Sequence, residues 1–143
     1  MLFRSIRSAE ADAMLRGWDR SDVLLLLRAR AARALGKSEG AALARDLQVR
    51  YAAAAQRGER LHAQDEARFR LEFMADARGA LELAVQNWSD RQREAADARI
   101  LMEAALAAND PRAAQPALEW LGSSGFEDIR LTRLAAKLRA VAR

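Results

Sequence analysis

The chain is 143 residues long, with 24 Lys+Arg against 20 Asp+Glu, one His and no Cys. Its length suits one domain that buries roughly two-thirds of the unfolded surface, and a hydrophobic content of 51% argues against wholesale disorder. The missing Cys excludes disulfide scaffolds, thiolate metal centres and thiol nucleophiles, and no apolar run approaches the roughly 20 residues of a membrane-spanning helix.

β-Branched residues are scarce, with three Ile, four Val and one Thr among abundant Ala and Leu. That balance favours helix throughout, and apolar residues recur at helical spacing almost from end to end. A short first helix is predicted over 8–16, closed by Gly17. A second is predicted over 21–35, with Ser21 as N-cap, Gly36 beyond its end and Leu24, Leu27, Ala31 and Leu35 on its buried face. A third, over 38–57, carries the stripe Leu43, Leu47, Tyr51 and Ala54. The stretch 58–63 is the longest polar connector. A fourth helix over 64–74 has two apolar edges, Ala67, Leu71, Met74 and Phe69, Phe73. The fifth, over 77–89, is capped by Asp76 and buries Ala80, Leu81, Ala84, Val85 and Trp88. The sixth, over 94–108, buries Ala98, Leu101, Met102 and Ala105. Asp110-Pro111 reads as an N-cap followed by Pro at the first helical position, opening a seventh helix over 111–121. Gly122-Ser-Ser-Gly125 reads as a break. The eighth, over 127–142, buries Leu131, Leu134, Ala135 and Leu138 and turns Arg130, Arg133 and Lys137 to water. Short connections make successive helices antiparallel neighbours.

An internal period organises these helices. The segment from Ala67 through Leu71, Met74 and Asp76 to Ala80 aligns with Leu101 through Ala105, Ala108 and Asp110 to Ala114. Turn Asp and small residue are each offset by 34. A looser copy has its turn at Gly36-Lys37 and its small residue at Ala41. Two helices per 34 residues, with a small residue midway along the first helix, a Gly/Asn-Asp turn and Ala-Leu early in the second, resemble the tetratricopeptide repeat over roughly 21–122. The run from Arg57 through Trp88 to Trp120 also resembles the C-terminal part of bacterial tetratricopeptide proteins of no assigned role. The resemblance implies an all-α fold: a right-handed stack of antiparallel helical hairpins, an α-solenoid forming one domain over 1–143. Its units would span about 21–57, 62–90 and 94–122, with a C-terminal capping helix over about 126–142.

Family membership would make the chain a non-enzymatic scaffold that binds protein or peptide and needs no cofactor or metal. By resemblance, the binding groove is built from first-helix positions. Taking Gly36, Ala75 and Asn109 as equivalent turns, these are Arg30 and Arg33; Asp65, Phe69 and Glu72; and Arg99, Glu103 and Leu106. Such a mixed-charge strip around an aromatic can clamp an extended peptide or a terminal helix, with Arg forks meeting carboxylates. The plainer reading of the same residues is a solvated face with internal pairs such as Arg99–Glu103.

Charge leaves two alternatives open. Residues 1–60 carry 12 basic and 7 acidic groups, 61–128 carry 7 and 13, and 129–143 carry 5 and none. Basic ends around an acidic middle suit self-association of chains. Nucleic acid binding through the Arg-rich ends is less favoured, because it asks for a continuous basic stripe. His62 lacks a nucleophile or orienting partner in sequence and is expected to be structural or exposed. Trp18, Trp88 and Trp120 are expected to pack at hairpin junctions. Residues 1–7 lack the apolar core of a signal peptide, so a soluble bacterial protein, cytoplasmic or periplasmic, is expected.

Overall fold

A computed structural model describes residues 2–59, 62–90 and 93–142, with side chains from Arg7 onward in the first stretch. Every regular element among the described residues is helical. The chain divides into two compact units, Met1–Leu61 and His62–Arg143. The division falls inside the polar connector.

The first unit holds α1 (Leu2–Leu15), α2 (Asp22–Ala34) and α3 (Glu39–Gln56), and α2 packs on both others. Ser21 caps α2 by accepting the Leu24 N–H at 3.4 Å. At the other end Gly36 is left-handed, at φ 68°. There the Gly36 and Lys37 N–H groups donate to the Arg33 and Ala32 carbonyls at 3.0 and 2.9 Å, the paired bonds that close a helix on a glycine. Lying between two neighbours, α2 buries more than one stripe: Leu25, Leu26, Ala29, Ala31 and Ala32. The predicted face is therefore out of phase, and Leu27 is 42% exposed. Four successive leucines, Leu24 to Leu27, leave the phase open, and the flanking helices set it. α3 buries Leu47 and Tyr51 as expected. Its close approach to α2 rests on Gly40, not on Ala41, which is exposed. A methyl group on Gly40 would sit 3.1 Å from the Arg33 backbone nitrogen.

The second unit holds α4 (Ala63–Phe73), α5 (Ala77–Ser89), α6 (Ala95–Ala107), a 3-10 turn (Pro111–Ala114) leading into α7 (Gln115–Ser124), and α8 (Ile129–Val141). α6 is its centre, in contact with α4, α5, α7 and α8. Its buried Ala98, Ile100, Leu101, Met102, Ala104 and Ala105 join Ala67, Ala80, Ala84, Trp88, Ala117, Leu131 and Leu138 in one core. The single helix predicted over 111–121 is split. Pro116 lies within the first two positions of α7, where its missing N–H breaks no intrahelical bond, so the preceding turn tightens to 3-10. Asp110 makes no side-chain cap bond. The predicted break at 122–125 is also later than expected. α7 runs through Gly122 to Ser124 and stops at left-handed Gly125, φ 66°.

Three features of this unit recur at a fixed interval. α4, α6 and α8 end at Phe73, Ala107 and Val141, each 34 residues on. Ala67, Leu101 and Ala135 are their buried residues at that same offset. Glu94 and Asp128, also 34 apart, are the N-caps of α6 and α8. The turns agree as well, since Ala75 and Asn109 share the left-handed conformation of Gly36, at φ 53° and 55°. Asp76 then caps α5 through the Gly79 N–H at 2.9 Å, and Ala80 and Ala114 are both fully buried one turn further on.

Candidate functional site

Glu103 organises the charged face of the second unit. It projects from α6 one helical turn from Arg99, whose Nε donates to it at 2.7 Å. From α4, Arg68 donates a second charged hydrogen bond to the same carboxylate and lies 3.7 Å from Glu72. Burial works against the charge of Glu103, but Arg68 and Arg99 outweigh it and hold the carboxyl below its ordinary value. One carboxylate thus ties α4 to α6 through a guanidinium from each. The Glu103 charge also acts on Arg130 of α8.

Of the eight residues predicted for the strip, the structure brings Glu72, Arg99 and Glu103 into one network, with half-buried Asp65 and Leu106 on the same two helices. Arg30 and Arg33 belong to α2 in the first unit. Phe69 is a correction. It is 2% exposed and stacks on Phe73 with ring centroids 5.7 Å apart, so it supports α4 from inside and presents no aromatic face. Helical spacing placed it on the second apolar edge of α4, and α5, packed against that helix, makes two edges a requirement. Arg68 was missed. Its i,i+4 relation to Glu72 was the available signal, but only the fold shows that it reaches Glu103.

The first unit carries a second charged cluster that sequence reading did not anticipate. Asp12 is 1% exposed and accepts from Lys37 Nζ at 2.6 Å, with Arg16 at 3.5 Å and Arg28 Nε at 3.8 Å. The hydrogen bond from Lys37 holds the Asp12 carboxyl below its ordinary value despite burial. Arg28, buried in α2, also meets Asp19 at 2.6 Å and Glu39. The acids come from α1, the loop after it and α3, so α2 is pinned on both sides. In sequence these carboxylates are scattered over 27 positions, from Asp12 to Glu39, and no helical spacing links them.

His62 is exposed and stands at the N-terminus of α4 as expected. Trp88 is buried and meets Trp120 edge-on at 6.0 Å, and Trp120 meets Phe126 at 5.9 Å. Trp18 departs from the expected packing, being 62% exposed. Among the described residues no group of three or more His, Cys, Asp or Glu is placed to hold a metal ion, and no helix is long and apolar enough to cross a membrane. No family model, curated protein or solved structure matches the chain.

Proposed function

We propose that the chain is a tetratricopeptide-like stack of helical hairpins and works as a non-enzymatic scaffold for a protein or peptide partner. The observation that carries this reading is the 34-residue recurrence of α4, α6 and α8, in helix end, buried residue and cap. A helix that recurs in register presents the same positions to solvent at each step, and such rows form the extended binding surfaces of helical repeat proteins. The surface proposed here is the strip of Asp65, Arg68 and Glu72 on α4 with Arg99, Glu103 and Leu106 on α6. Its ion pairs fix the side chains in place before a partner arrives, which lowers the ordering cost of binding.

The test is binding of the purified chain to a peptide array, wild type against an Asp65→Ala/Arg99→Ala double variant. Both residues are half-buried, so the fold survives their truncation, as a helical circular dichroism spectrum would verify. Loss of the wild-type binding peptides is expected. An unchanged binding profile would remove the strip from the binding surface.

A further inference from the structure

Within the strip the cations are already matched. Arg68 and Arg99 are both spent on Glu103. The next step of the same register is different. Arg133 and Lys137 stand 34 residues after Arg99 and Glu103 on α8, a helix with no acidic residue. Both are exposed, and neither forms an ion pair among the described residues. Arg130, one turn before, lies in the same row and shares its charge with Asp128 at 2.7 Å. Leu131, Ala135 and Leu138 face the core, so the row points outward on a helix that is firmly seated.

We infer that Arg130, Arg133 and Lys137 form the ligand-contacting end of the strip, and that this end takes an acidic peptide segment. The inference rests on the scaffold reading above and names its partner. Charge complementarity carries it: the row is wholly basic and its last two members have no acid of their own. The row is also short, about 10 Å along the helix axis, and carboxylates bound it. Asp128 and exposed Glu127 lie at its start, and Glu103 lies beside Arg130. A nucleic acid backbone or an anionic bilayer extends well past such a row and would bring phosphates against those carboxylates. A short peptide does not. In an extended peptide alternate side chains are about 7 Å apart, so two or three carboxylates fall within reach of the three cations. Ile129, 64% exposed and one turn from Arg133, offers an apolar contact beside them, as does Phe126.

The experiment is fluorescence anisotropy with a labelled peptide of alternating Glu and Ser around a central Leu. The comparison probes are the same peptide with Lys for Glu, a single-stranded oligothymidylate, and vesicles of one part phosphatidylserine to three parts phosphatidylcholine. The acidic peptide should bind in a salt-sensitive manner. Arg133→Glu/Lys137→Glu should weaken it by more than about tenfold and Arg133→Gln/Lys137→Gln by about threefold, both with unchanged helical content. Tighter binding of the oligonucleotide or the vesicles, or no binding of the acidic peptide, overturns the inference. So does salt-sensitive self-association of the free chain that the charge reversal abolishes, since a second copy would then own the row. If the reversal leaves peptide affinity unchanged while Arg99→Ala weakens it, the α8 assignment falls and the scaffold reading stands.

Discussion

Replacing Lys37 with Met isolates the charged contact that seats α1. Among the described residues of α1, Asp12 is the one that is buried, so the helix is held as much by a carboxylate as by apolar contact. The variant leaves that carboxylate 1% exposed, facing Arg16 at 3.5 Å and Arg28 at 3.8 Å, both beyond a good charged hydrogen bond. A hydrogen bond to a charged group contributes roughly 1.5–3 kcal/mol, and stranding its buried partner costs the upper part of that range. The Lys37 side chain is itself 40% exposed, so water screens part of the effect, and the expected loss is about 2 kcal/mol. The assay is native-state hydrogen exchange of the α1 amides, which reads local opening. A loss of that size accelerates exchange about 30-fold. Arg16→Ala, which removes a mostly exposed side chain from the same carboxylate, should accelerate it less than about threefold. Lys37→Arg should restore protection. If Lys37→Met and Arg16→Ala exchange alike, the contact between Lys37 and Asp12 is not what holds α1.

Four further outcomes are expected. Ala75→Gly should raise stability by about 0.5–1 kcal/mol in urea denaturation, because the left-handed conformation strains an Ala by more than the unfolded-state entropy a Gly adds. Gly40→Ala should lower it by about 1–3 kcal/mol, since the new methyl group meets the Arg33 backbone, which cannot yield as a side chain would; exposed Ala41→Ser should be close to neutral. Asp97→Ala should cost about 2–4 kcal/mol. It removes the reciprocal cap with Glu94 and leaves buried Asn87 without the acceptor it holds at 2.7 Å. Acid should destabilise both units. The folded forms of Asp12 and Glu103 favour the charged carboxylate, so the stability they contribute is complete above the ordinary carboxylate range and is lost as pH falls through their lowered folded values. Thermal melts should be level above about pH 5 and fall below it, and Asp12→Asn should flatten that fall.

The helices and most of their ends were legible because their signals are local. Ser21 and Asp76 cap through their own side chains, and Gly36, Ala75 and Asn109 occupy equivalent left-handed turns, so a spacing of 34 could be read before any fold was known. The phase of α2 was not legible, because a run of four leucines satisfies several faces and two neighbouring helices chose among them. Phe69 was misread for a related reason. Spacing shows that a residue lies on a helix edge, but whether the edge is open depends on what packs there. The charged networks were the least visible part. Arg68 reaches Glu103 across 35 positions and Lys37 reaches Asp12 across 25, and long flexible side chains carry no periodicity to announce such partners.

The three tryptophans divide unequally between the two units, and this makes the chain its own spectroscopic probe. Trp18 alone lies in the first unit and is already largely hydrated, so its emission scarcely shifts when that unit melts. Trp88 and Trp120 sit in the second, and their emission moves to longer wavelength as that core opens. Ultraviolet ellipticity reports every helix, whereas indole colour follows only the C-terminal half. The gap between the two curves is a label-free trace of the N-terminal helices coming apart.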